Sequence, residues 1–194
     1  MFNIIITRRG KRAVPGPANS VTLTFSSVFD TNGAVYYIGT DYLTTSFTNP
    51  HTSGKVVVTR SSVNTGTVTD MCSRAYEDSW TQNLGTGGWN AIDLGAGRSL
   101  KVNYYVLCGV LTNGGTFPRS WKLQGSNDGT NWTDLDTQTN NTSIAAAQQS
   151  ASVAVSGQTI YYRYLRTLLS NSGSSQGDNL LLSSDFEFYG VLSY

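Results

Sequence analysis

The sequence predicts an all-β chain, an antiparallel β-sandwich or jelly roll preceded by an extended N-terminal arm, and three observations predict it. Short runs rich in β-branched and aromatic residues recur along the chain: VTLTF, VYYIG, KVVVTR, AIDLG, SLKVNYYVLCGVL, SWKLQGS, YYRYLRTLL and FEFYGVL. Clusters of Gly, Asn, Ser, Thr and Pro separate them, as turns require. Helix signals do not recur: the one helix-friendly patch, SIAAAQQSA from Ser143 to Ala151, is too short to stand alone in water. Many short strands with polar turns fold as sandwiches or jelly rolls.

Taken in order, the chain opens on an apolar, β-prone run with Phe2, Ile4, Ile5 and Ile6, then a basic cluster of Arg8, Arg9, Lys11 and Arg12, then the linker AVPGPANS. Pro and Gly make that linker stiff and turn-rich, which divides the chain into an arm, residues 1–20, and a domain, residues 21–194. Alone, the arm cannot bury its apolar face. It is expected to dock, adding a strand to a partner's sheet edge while Arg8 and Arg9 meet an acidic surface or phosphates. The other reading is an edge strand folded back onto the domain, or a tail.

The apolar run precedes the basic cluster, which is the reverse of a signal peptide. No apolar run approaches the roughly 20 residues of a membrane span. With 13 Lys and Arg against 12 Asp and Glu, the net charge of +1 does not suit a globally basic nucleic-acid binder.

The stretch SWKLQGSNDGTNWTDL, Ser120 to Leu135, reads as a hairpin. Trp121, Leu123 and Gly125 fall on one face of a strand, and Lys122, Gln124 and Ser126 on the other. Asn127, Asp128 and Gly129 supply the turn. Trp132 opens the return strand, where its ring is expected to cover apolar surface near the turn rather than stack on a sugar. In the last run Phe186, Phe188 and Leu192 alternate with Glu187, Tyr189 and Val191, so the Phe side is expected to face a core.

This hairpin resembles the signature hairpin of discoidin domains, also called coagulation-factor C-type or galactose-binding-like domains. GWNAIDLG (Gly88 to Gly95), YYRYLRTLL (Tyr161 to Leu169) and LLLSSDFEFYG (Leu180 to Gly190) are similar to further strands of that family, in the expected order. The front section, FDTNGAVYYIGT (Phe29 to Thr40) and NPHTSGKVVVTRSS (Asn49 to Ser62), resembles a narrower branch found inside HECT-type ubiquitin ligases. The resemblance covers about residues 21 to 192. It implies an eight-stranded jelly roll with binding loops at one end and a non-catalytic role. It also implies that Trp121 and Trp132 belong to the scaffold, and that Tyr42, Arg74, Trp80 and Arg119 lie in or beside ligand-binding loops, with His51 nearby. Trp80, without apolar neighbours, either stacks on a sugar face or closes the barrel end. Arg119 would offer a planar fork to hydroxyls or carboxylates, or, like Arg74, pair with a nearby acid.

Catalysis has little to build on. His51 is the sole histidine, and no G-x-S-x-G elbow is present. Cys72, in a polar loop stretch, and Cys108, in a strand, show no metal-ligand spacing and read as free thiols. DTNG at Asp30 to Gly33 imitates the start of a calcium loop, but no Glu stands where that loop requires it. The resemblance would place a structural calcium on Asp70 and Glu187, although the family's usual ligand loop is absent. The expectation is therefore no metal and no cofactor, with Asp30 capping a turn and Glu187 exposed.

Together these features suggest a non-catalytic recognition module. The expected role is an accessory virion surface protein, a capsid decoration or tail adhesin, oligomeric within a larger assembly that it joins through its arm. It would bind cell-surface glycans through rim loops and reach the exterior by lysis, without membrane insertion or nucleic acid. The alternative is a cytoplasmic protein–protein adaptor.

Overall fold

The structure, a computed structural model, describes residues 19–112 and 115–194. The arm positions Phe2, Ile4, Ile5, Ile6, Arg8 and Arg9 lie outside the described residues. Nine strands appear among those described: β1 (Ser20–Leu23), β2 (Val57–Arg60), β3 (Trp89–Asp93), β4 (Ser99–Cys108), β5 (Trp121–Ser126), β6 (Thr133–Gln138), β7 (Ser150–Ala154), β8 (Tyr164–Leu169) and β9 (Asp185–Ser193). They form two antiparallel sheets, a four-stranded one in the order β1-β9-β4-β7 and a five-stranded one in the order β2-β3-β8-β5-β6. No helix among the described residues is long and apolar enough to cross a membrane.

The core lies between the sheets and follows the period of two read from the sequence. On β9, Phe186 and Phe188 sit opposite Leu107 and Tyr105 of β4, and all four are buried. From the other sheet come Ile92, Leu123, Leu165 and Trp121, the last with no solvent exposure. Trp121 donates its indole N–H to the Tyr105 hydroxyl at 2.8 Å, and Tyr105 in turn donates to Asp136 at 2.9 Å. The largest ring of the core is thus held by packing and by a relay that leaves its one polar atom satisfied.

Two expectations fail here, both for a tertiary reason. VYYIG is not a strand: Ala34–Gly39 forms a short helix, α1. Its first free amides, on Val35 and Tyr36, donate to the Glu187 carboxylate at 2.7 and 3.1 Å, while Ala34, Val35 and Ile38 enter the core. A carboxylate at a helix N-terminus satisfies donors that have no partner inside the helix. Glu187 is therefore not exposed but buried, and Gly33 makes room for it, since a β-carbon there would come within 2.1 Å of the Glu187 side chain. The patch from Ser143 to Ala151, too short for a helix on its own, is irregular until β7 starts at Ser150 and pairs along β4.

Other expectations meet smaller differences. The jelly roll has nine strands in place of eight, because both β7 and the short edge strand β2 pair. Cys72 ends a 3-10 helix, Val68–Cys72, and is fully buried, and Cys72 and Cys108 are both free thiols. Burial pushes both thiols well above the usual range, so neither is a ready nucleophile. Asp30 does cap a turn, accepting the amides of Ser26, Ser27 and Asn32.

Candidate ligand-binding groove

The outer face of the five-stranded sheet carries a groove that the sequence reading did not find. Along β8 the side chains alternate: Leu165, Thr167 and Leu169 are buried, while Tyr164, Arg166 and Leu168 remain half-exposed on the outside. Arg166 lies opposite Ala91 of β3 and Gln124 of β5, which places Trp89 on the diagonal. The small Ala91 leaves a floor between taller neighbours. The hairpin loop between β5 and β6 forms one wall. Asp128 accepts the amides of Thr130 and Asn131 at 2.8 and 2.7 Å and so fixes that loop, which delivers Trp132.

The result is a groove of about 260 Å3 lined by Val57, Thr59, Trp89, Trp132, Tyr164 and Arg166. Past Trp89 and Arg166 it opens into a shallower depression of about 520 Å3 that runs toward Lys122 and Asn171. Apolar walls with a few convergent polar groups are the usual make-up of a small-ligand site.

Arg166 is its centre. The guanidinium lies 4.2 Å from the Trp132 ring centroid and 5.9 Å from that of Trp89. Its Nε donates to Gln124 Oε1 at 2.6 Å. Gln124 in turn donates to Asp134, which also takes the Lys122 ammonium at 2.6 Å. Burial lowers the Arg166 pKa and the Asp134 charge opposes that shift, yet an arginine stays charged at any ordinary pH. At the other end, Arg163 grips Asp93 with two bonds of 2.6 and 2.7 Å. Burial works to raise the Asp93 pKa, but that fork, the Gly95 amide and Arg98 hold it below the usual carboxylate range.

Trp132 therefore differs from expectation. It does not join the core with Trp121 but stands half-buried over Arg166, because no layer among the described residues covers the face on which it lands. Its sequence position beside the turn was the available signal, and its assignment to the scaffold obscured it.

The residues chosen from the sequence do not gather at this groove. Tyr42 stacks on Tyr194 at 4.5 Å, beside the strand end where β9 finishes, and accepts a hydrogen bond from Arg98. Arg74 lies toward the start of β9: its amide donates to Asp185 at 2.6 Å and its guanidinium reaches Glu187 at 3.8 Å and the carbonyl of Asp30 at 2.8 Å. The same guanidinium lies 4.5 Å from the Tyr36 ring centroid, so its capacity is spent inside the protein. Trp80 and Arg119 occupy connections at the end of the sandwich where β9 begins. Trp80 is half-buried and its backbone bridges Thr65 and Leu182. Arg119 bonds not an acid but the carbonyls of Ile144 and Pro118. His51 accepts the Val58 amide on Nδ1 at 3.2 Å.

Asp70 and Glu187 do not make a calcium site. Both Asp70 oxygens close a capping box with Thr67, and the Glu187 oxygens face three backbone amides and Arg74. Among the described residues no group of three His, Cys, Asp or Glu could hold a metal ion.

The two sheets, their strand order and their fit to known structures define a discoidin-like, galactose-binding-like β-sandwich, the fold of carbohydrate-binding modules. One such module, CBM32-5 from Clostridium perfringens, in complex with GalNAc-beta-1,3-galactose, superposes with a TM-score of 0.53 over 71% of this chain and 96% of its own, at 13% identity. In sequence the chain is similar to part of the E3 ubiquitin-protein ligase Ufd4 of Drosophila melanogaster, 33% identical over 181 residues, which fits the HECT-associated branch. It is also 31% identical over 150 residues to the BTB/POZ domain-containing protein At2g30600 of Arabidopsis thaliana. Those matches take in 88% and 72% of this chain but only 6% and 18% of the two relatives. No family model matches the chain.

Proposed function

We propose that this chain is a non-catalytic recognition module that holds a glycan on the outer face of its five-stranded sheet. The observation that carries this reading is the Trp89–Arg166–Trp132 surface, two half-exposed indoles flanking one guanidinium over a small-residue floor. Sugar rings offer C–H faces that pack on indole, and a few fixed polar groups set their orientation. The sugar-bound module of the same fold supports the ligand class.

The test is a titration of wild type and Trp132→Ala with a panel of oligosaccharides, read by tryptophan emission and calorimetry. Saturable binding by wild type and its loss in the variant are expected. Equal binding by both proteins would remove the groove from consideration.

A second reading, an intracellular protein–protein adaptor, draws on the similarity to segments of two much longer proteins, a ubiquitin ligase and a BTB/POZ protein. Trp, Tyr and Arg are also the residues that dominate protein interfaces. The virion-surface role remains a proposal that rests on sequence features, the arm chief among them.

A further inference from the structure

We propose that the groove selects ligands bearing a carboxylate, so that its preferred glycan is an acidic one, of the uronic-acid type. This rests on the reading that the groove binds glycan, and it names the class.

The charges around the groove lead to it. Four of them are already matched: Asp93 is held by the Arg163 fork, and Asp134 by Lys122 and the Gln124 amide. Arg166 is the exception. Only its Nε–H is spent, on Gln124, and the N–H groups of Nη1 and Nη2 have no acceptor among the described residues. The ring of Trp132, 4.2 Å away, supports the guanidinium from one side, and the Gln124 bond fixes its rotation. A guanidinium held in this way offers its remaining N–H groups as a rigid fork, the geometry that a planar carboxylate meets with two parallel bonds. Arg166 is also half-buried, where a charged hydrogen bond gains more than it does in open water.

The acceptors point the same way. The two carboxylates at and beside the groove, Asp93 and Asp134, are already charge-paired, so the unmatched charge left for a ligand is the Arg166 cation, which a neutral sugar cannot neutralise. A uronic acid places a planar anion on a pyranose whose C–H face can lie on Trp89 while the anion meets Arg166. An acidic peptide side chain would supply the anion but no ring face for the second indole.

The experiment titrates wild type, Arg166→Gln, Arg166→Lys and Trp132→Ala with oligogalacturonate, with the matching neutral galactose oligomer, and with a Glu-rich peptide. Melting curves establish that each variant folds. Wild type should bind the uronate at least about tenfold more tightly than the neutral oligomer, the worth of one charge-assisted pair. Arg166→Gln should erase that preference while leaving weak binding of both sugars, and Arg166→Lys, which keeps the charge without the fork, should restore it only in part.

Uronate and neutral oligomer binding equally, and both lost in Trp132→Ala, would overturn the carboxylate proposal and leave the glycan groove standing. If no sugar binds, both fall. Binding of the peptide alone also overturns the proposal, in favour of the adaptor reading.

Discussion

The two sheets share one core but treat their outer faces differently. On the four-stranded sheet, the outward row Tyr104, Val106, Cys108 and Tyr189 is roofed by the segment after β1: Phe25 stacks on Tyr104 at 4.3 Å and meets Tyr189 edge-on at 5.3 Å. Below that roof Glu187 and Asp185 are buried, tied to α1 and to Arg74. On the five-stranded sheet, Val57, Trp89, Tyr164 and Arg166 form the corresponding row, no segment among the described residues roofs it, and Val57 remains 51% exposed. The residue types are alike on both faces, aromatic and charged side chains at alternate positions. What separates the two faces is the presence of a covering loop, and uncovered tryptophans on a sheet face are the kind of surface the proposed groove needs.

The heaviest test of the shared scaffold is Trp121→Ala. The ring is fully buried and its N–H is paired, so the loss should be about 3–5 kcal/mol. Denaturant unfolding measures it, and a wild-type midpoint would mean that the core does not depend on the hairpin.

Next comes the roofed face, through pH. Burial is the largest influence on Glu187, and despite the amides of Val35, Phe188 and Tyr36 and the Arg74 charge it pushes the carboxyl from 4.5 up to about 7. Asp185 moves in the same direction, again chiefly by burial. A carboxyl whose pKa is raised in the fold binds its proton more tightly folded than unfolded. Its contribution is therefore fully present below pH 4.5 and is lost as pH rises through about 7. For Glu187 that amounts to about 3 kcal/mol. Asp30, Asp93, Asp128 and Asp134 are shifted down, and their contributions are complete once the pH exceeds their ordinary value of 3.8. Between pH 5 and 8 they add no slope. Stability measured across that range should fall with pH, and Glu187→Gln should flatten the fall whatever it does to the overall level. An unchanged slope would show that the roof leaves Glu187 in contact with water.

The smallest effects give the sharpest contrast. Phe25→Ala opens the roof and should cost about 2 kcal/mol, less than a fully buried ring because Phe25 keeps some exposure. Trp132→Ala removes a larger ring from the open face and should cost under about 1 kcal/mol. Paired thermal melts decide it. Equal losses would mean that Trp132 is packed scaffold after all, and the distinction between the two faces would collapse.

Much of the fold was legible along the chain. Alternation in FEFYGVL places Phe186, Phe188 and Leu192 in the core, and the spacing of SWKLQGS does the same for Trp121 and Leu123, because a strand's side-chain period is a local property. The scaffold could be read from such local signals, whereas the groove depends on register: Trp89, Trp132 and Arg166 belong to three separate segments that meet only after β3, β8 and β5 pair. None of these segments states by itself whether its outward side chains will be covered.

What the sequence by itself determined was where strands run, which of their sides is apolar, and where the chain turns, since each of these is set by neighbours within a few residues. Only the tertiary structure decided the rest. VYYIG coils into α1 because its amides meet Glu187, 152 and 151 residues away, and a carboxylate at that spot outweighs a local preference for extended backbone. Trp121 and Trp132, in one hairpin, part company because one faces a second sheet and the other faces solvent. Burial is a property of what packs across a face, and no span of one strand encodes its opposite layer.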